Sequence, residues 1–158
     1  MAVSSIHNGW RYDPSNSRLN FYYRGTRIGH INASQMSVAA GDLAVAAGTV
    51  DIQDGGTVTQ ATSKSTGVIL NTNSGQITMN NAALAAAAEV TFAVTNSQVA
   101  ATDVVIVNHG SAGTAGAYVV QANTMASGSF KITAANLSAG DLSEAIVINF
   151  VVIKGASS

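Results

Sequence analysis

Beyond Thr57 the chain alternates. In "EVTFAVT" the residues Val90, Phe92 and Val94 fall on one side of an extended strand and Thr91, Ala93 and Thr95 on the other, the period of two that marks a strand with one buried face. Runs of this type recur roughly every 8–14 residues: "GTVTQAT", "TGVILN", "GQITMN", "EVTFAVT", "DVVIVNH", "AYVVQAN", "SFKITAA" and "AIVINFVVIK", with Gly, Asn, Ser and Asp between them. Regular short strands of this number predict an all-β domain over 57–158, an antiparallel β-sandwich of jelly-roll-like type.

Two segments depart from the alternation. "NNAALAAAAEV" has high helix propensity but is too short to be stable alone, and reads as one short helix or an Ala-rich connection. In the last run Ile146, Ile148, Phe150 and Val152 alternate with residues that include Val147, Val151 and Ile153. Both faces are apolar, which predicts cover on each side, from a central place in the sandwich or from another subunit. On the second reading Ile146, Ile148, Phe150 and Val152 are the expected subunit contacts.

The first third of the chain is different. "RLNFYYR" and "TRIGHI" flank Gly25, and their periodicity and turn chemistry predict a hairpin within an N-terminal arm, residues 1–33. Residues 1–17 are polar, with a turn expected at Asp13-Pro14. Residues 34–56 contain the repeat "VAAGDLA"–"VAAGTVD" and end at "DGG". Each repeat carries a glycine and no pair of large apolar residues at coiled-coil spacing, so the segment reads as an extended, turn-punctuated linker winding against identical neighbours.

Charge sharpens the contrast between arm and body. The 158 residues include 7 Lys and Arg against 8 Asp and Glu, a net charge of −1. Residues 1–33 hold four arginines against Asp13 alone, +3, and the remainder holds three lysines against seven acids, −4. A charged fraction of 9% makes a mild surface suited to an assembly. There is no cysteine, hence no disulfide and no thiolate metal site. The N-terminus lacks the order of a signal peptide and no apolar run reaches membrane-spanning length, so synthesis and assembly in a cytoplasm are expected.

Candidate chemistry is sparse. His109, with Ser111 near and Asp103 upstream, could be drawn as a hydrolase triad, but the chain has no G-x-S-x-G elbow, and a loop-edge histidine beside Gly and Ser is more often structural. His7, His30 and His109 lack metal-ligand spacing, and "DIQDGG" lacks the alternating oxygens of a calcium loop. Asn32-Ala33-Ser34 and Asn136-Leu137-Ser138 match a glycosylation acceptor without a secretory context. No enzymatic activity, cofactor or metal is expected. Four arginines in a chain of net −1 make a poor funnel for nucleic acid, whereas Trp, Tyr and Arg are the residues that dominate protein interfaces. The arm is therefore expected to dock on a protein. Trp10, Tyr12, Phe21, Tyr22 and Tyr23 would be its anchors, and Arg11, Arg18, Arg24 and Arg27, with His30, its polar contacts.

The head "HNGWRYDPSNSRLNFYYRGTRIGHINA" together with the body "GTVTQATSKSTGVILNTNSGQITMNNAALAAAAEV…" through "AIVINFVVIK" resembles small virion proteins of tailed bacteriophages, over nearly the whole chain. The resemblance implies a non-enzymatic, β-rich homotrimer that decorates the outside of the capsid and cements neighbouring capsomers. Its partners would be the major capsid protein and its own copies, with no nucleic acid or membrane. The alternative it leaves open is a head-fibre or tail-fibre protein whose loops, such as "NHGSAGTAGA", contact the host surface.

Overall fold

In a computed structural model, residues 8–39, 43, 45, 47, 49–52 and 55–155 are described, and the chain divides into two compact units, Met1–Val50 and Asp51–Ser158. The first is a four-stranded antiparallel meander of β1 (Asn8–Asp13), β2 (Arg18–Tyr23), β3 (Thr26–Ile31) and β4 (Met36–Val38), in the order β1-β2-β3-β4. The expected hairpin is β2–β3. Arg24 and Gly25 both hold positive φ, 49° and 78°, the conformation of a two-residue turn whose twist matches the flanking strands. β1 and β4 extend the sheet into segments expected as polar tail and linker. The remainder of the expected linker falls partly outside the described residues, as do His7 and Asp54.

The second unit contains every one of the eight predicted strands. They are β5 (Thr57–Thr59), β6 (Val68–Ile69), β7 (Ser74–Thr78), β8 (Glu89–Thr95), β9 (Val104–Ser111), β10 (Tyr118–Ala126), β11 (Ser129–Asn136) and β12 (Val147–Ile153). Two four-stranded sheets form, ordered β10-β11-β8-β6 and β5-β7-β12-β9. All pairs are antiparallel except β5–β7 and β6–β8 at the edges. The all-β sandwich expected from the alternation is thus the fold, but its sheets are mixed and not wholly antiparallel, because the short edge strands β5 and β6 pair in parallel.

The core lies between the inner faces of these sheets, where Phe92, Val94, Phe130 and Ile132 meet Ile77, Ile148, Phe150 and Val152. Phe130 and Phe150 bridge the layers, with ring centroids 5.6 Å apart and tilted by 56°, a favourable geometry for an aromatic pair. Gly75, opposite Phe150 in the β7–β12 ladder, makes room for that ring: a Cβ there would stand 2.9 Å from Phe150 Cε1 and 2.8 Å from Leu70 Cδ2.

The two-sided last run is resolved by this packing. Ile146, Ile148, Phe150 and Val152 are between 0% and 4% exposed within the single chain, so the expectation that they contact another subunit is corrected: β12 is central in its sheet and they are the chain's own core. Val147 and Val151 on the opposite side are half-buried and Ile153 is exposed.

The Ala-rich segment forms the connection rather than the helix. Leu84 and Leu142 exchange backbone hydrogen bonds of 2.9 and 3.0 Å, and the Asn136 amide donates to the carbonyls of Leu84 and Ala85 at 3.0 and 3.1 Å. These contacts take the carbonyls that a helix would need, and so short a helix has little propensity to set against them.

Buried amides pin the other loops in the same way. Gln60 donates to Lys64 O and Thr66 O and accepts from Asn80 N, and Asn96 donates to Thr72 O. The Asn136 side chain, buried and committed to Leu84, Ala85, Gly140 and Ser138, is inaccessible to glycosylation despite its sequence context.

Two substitutions measure these contributions. Ile148→Ala is expected to cost about 2–5 kcal/mol by core truncation, whereas Val151→Ala on the half-buried side costs less. Asn136→Ala, which strands the buried Leu84 carbonyl and leaves those of Ala85 and Gly140 without their donor, is expected to cost about 1–3 kcal/mol. Urea melts of the three variants check the order, and equal losses for Ile148→Ala and Val151→Ala would contradict the assignment of the core.

Candidate docking surface

Residues directly opposite in paired strands share a face of the sheet, so the register of the N-terminal sheet sorts its side chains. Trp10 stands opposite Phe21 and Tyr12 opposite Leu19. Leu19 is opposite Ile31, which is opposite Met36, and Phe21 is opposite Gly29, which is opposite Val38. One face is therefore Trp10, Tyr12, Leu19, Phe21, Tyr23, Ile31, Met36 and Val38. The other carries a row of Arg11, Asn20, His30 and Ser37, flanked by Asp13 with Arg18 and by Tyr22 with Arg27.

A bulge completes this segregation. Between Phe21 and Tyr22 the β2–β3 register shifts, so that Gly29 faces Phe21, Arg27 faces Tyr22, and Ile28 is the extra residue. Without it Arg27, two residues from Gly29, would fall on the aromatic face; a bulge re-aims a side chain in this manner. Gly29 is obligatory for a different reason, since a Cβ there would lie 2.3 Å from Ser37 O.

The turns are fixed by their own side chains. Asp13 accepts from Ser15 Oγ at 2.6 Å and Asn16 Nδ2 at 2.9 Å, with Arg18 Nε at 3.5 Å. These hydrogen bonds, aided by the Arg18 charge, hold its carboxyl at about 2 against an ordinary 3.8. Asn32 Oδ1 accepts from the backbone of Ser34 and Gln35, both at 2.8 Å, an Asx turn that accounts for Asn32-Ala33-Ser34. Arg24 N donates to Asn8 Oδ1 at 2.9 Å, and its guanidinium lies 5.3 Å from the centre of the Tyr23 ring, within cation–π range.

Exposure runs opposite to polarity on this sheet. Trp10 is 68% exposed and Met36 59%, with Tyr12, Tyr23, Ile31 and Val38 also exposed, while Asn20 and His30 are buried at 3% and 8%. Contiguous exposed apolar side chains of this extent mark interaction surfaces. The ten residues expected to dock together are thus divided: Trp10, Tyr12, Phe21 and Tyr23 are on one face, and Arg11, Arg18, Tyr22, Arg27 and His30 are on the other. Arg24 extends from the turn between β2 and β3. Ile31, Met36 and Val38 belong to the aromatic face although the sequence reading omitted them. Strict alternation in "TRIGHI" groups Ile31 with Arg27, and only the bulge moves Arg27 to the other face; Met36 and Val38 were hidden by the Ala- and Gly-rich run that follows them.

The structure does not assemble the hydrolase triad. Asp103 precedes β9 and His109 and Ser111 lie near its far end, with Asp103 accepting from Ala100 N at 2.8 Å and Gly155 N at 3.0 Å and pairing with Lys154. His109 Nε2 is 2.6 Å from Ala112 O, and its ring packs edge-on to Tyr118 at 5.8 Å. The glycine loop after it is held by Glu144, which accepts from Thr114 N at 3.0 Å and Thr114 Oγ1 at 2.8 Å; these bonds keep the Glu144 carboxyl below its usual range. Burial, with Glu144 nearby, pushes the Tyr118 hydroxyl up to about 12. Among the described residues no cluster of three or more His, Asp or Glu side chains could hold a metal ion, and no helix is long and apolar enough to cross a membrane.

Comparison of the chain with protein-family models, with curated proteins and with solved structures returned no match.

Because the Asp13 carboxyl is held at about 2 in the folded sheet, below its unfolded value, its contribution to the β1–β2 turn is present above pH ~4 and is lost as pH falls through about 2. Amide NMR signals of Asp13 and of residues 15–18 are expected to lose their folded dispersion over that window. Asp13→Asn should remove this acid step, and an unchanged step in the variant would contradict the role assigned to Asp13.

Proposed function

We propose that the chain is a structural virion protein of a tailed bacteriophage that decorates the outer capsid surface as a homotrimer and cements neighbouring capsomers, with the N-terminal sheet as its docking element. One observation carries the reading: the largest exposed apolar side chains of that sheet lie together on one face. A sheet of four short strands cannot cover such a face by itself. The resemblance in sequence implies the kind of partner, a capsid lattice, and with it a place on the virion.

Cementing needs no bond-making chemistry. A trimer presenting three docking sheets touches several capsomers, and linkage makes the second and third contacts intramolecular, so weak individual contacts sum to strong attachment. The sandwich, with its low charge and with Lys64, Asp103, Asp141, Glu144 and Lys154 hydrogen-bonded to backbone, serves as the outward body. In the alternative reading the same sheet anchors a fibre whose loop at 108–117 touches the host; hundreds of copies per particle favour decoration, and a few to dozens favour a fibre.

Removal of residues 1–50 is expected to leave the sandwich folded, since its core lies wholly beyond Asp51, and to abolish co-sedimentation with undecorated shells. Trp10→Ala should weaken binding by about 2 kcal/mol or more at any salt if the ring fills a pocket at the interface centre. Arg24→Ala should weaken it modestly, and more at low than at high salt, because exposed charges are screened beyond about 8 Å at physiological ionic strength. A truncated protein that still co-sediments would overturn the assignment.

A further inference from the structure

The arginine-bearing face of the N-terminal sheet contains a pocket of about 340 Å³ lined by Arg11, Asp13, Pro14, Ser15, Asn20 and Tyr22. Asn20 is its unusual member. It is 3% exposed, and its Oδ1 has no hydrogen-bond partner among the described residues. Directly opposite it in the ladder, His30 is also buried and its Nδ1 is also unpartnered, while Nε2 is 3.2 Å from Gln35 Nε2. Leaving such groups unpaired is costly, and a buried unpaired polar group in a pocket points to a missing partner.

The surrounding charge identifies that partner. Asp13 is occupied by Ser15, Asn16 and Arg18, so it does not neutralise Arg11, which stands opposite Asn20 on the same face. Arg11 offers a planar fork that matches a carboxylate. Asn20 Oδ1 is itself an acceptor, so the amide meets the anion by turning over and donating from Nδ2. The Asp13 carboxylate on the pocket wall disfavours a dianion relative to a single negative charge.

We propose that this pocket binds a carboxylate, and that its natural occupant is an Asp or Glu side chain of the protein on which the sheet docks. The second clause rests on the docking reading; the first does not. The pocket then supplies specificity on one face while the aromatic side chains supply contact area on the other.

The test uses the full chain, ¹⁵N-labelled, titrated with the monoanion propionate, with neutral propionamide and with inorganic phosphate. Propionate is expected to shift the Asn20 side-chain amide and the backbone amides of Arg11 and Tyr22 saturably, and propionamide is not. Arg11→Ala and the near-isosteric Asn20→Asp should each weaken propionate binding by about tenfold or more. Lys131→Ala, on β11 of the sandwich, should bind as the native chain does. An Asn20→Asp chain that keeps native dispersion yet binds propionate normally would overturn the proposal, as would equal binding of propionamide or tighter binding of phosphate. Because the readout is a small ion and not a shell, the pocket can fail while docking stands, and docking can fail while propionate still binds.

Discussion

The pairing register of the N-terminal sheet is the constraint from which the functional reading follows. In a single layer every side chain is assigned to one of two faces, and a shift of one residue reverses the assignment. Here the register, with Ile28 as an inserted residue, puts Trp10, Tyr12, Leu19, Phe21, Tyr23, Ile31, Met36 and Val38 on one side and Arg11, Arg18 and Arg27 on the other. The aromatic and charged residues that crowd "RLNFYYRGTRIGHI" are therefore not one mixed patch. They are two surfaces with different chemistry, one apolar and exposed, the other polar and partly enclosed.

The sandwich is built the opposite way, its apolar side chains facing each other across Phe130 and Phe150 and its buried Gln60, Lys64, Asn96, Asp103 and Asn136 hydrogen-bonded to backbone. Lys64 illustrates this. Its ammonium donates to Asn80 O at 2.7 Å and Glu144 O at 2.5 Å, and burial lowers its pKa while the Glu144 charge opposes that shift. Glu144 in turn holds the loop at Thr114, and Asp103 anchors both Ala100 and the chain after β12. Charges committed to fixing loops leave a body with a mild surface, which suits a protein exposed on a particle.

The strands of the body were legible in the sequence because a half-buried strand writes its burial as a period of two, as in Val90, Phe92 and Val94. What was not legible is where tertiary contacts override local preference. The alanines before Glu89 favour a helix locally, but Asn136, some fifty residues on, captures their carbonyls. The two-sided apolar run of β12 invites a subunit contact, but its central position between β7 and β9 accounts for it. In the candidate site, the aromatic and basic composition was visible, whereas its division into two faces required the bulge at Ile28, which no periodicity marks. The burial of Asn20 and His30 left no sequence signal, since polar residues in an alternating strand read as solvent-facing.

The central claim is that the aromatic face is covered on the particle. Hydroxyl-radical footprinting of the full chain, free and bound to undecorated shells, tests it most directly. The account predicts that Trp10, Tyr12, Tyr23 and Met36 react readily in the free chain and are protected together on the shell, while exposed body residues such as Ile69 and Leu137 react equally in both states. Shell-bound protein in which Trp10 and Met36 remain as reactive as in the free chain would contradict it.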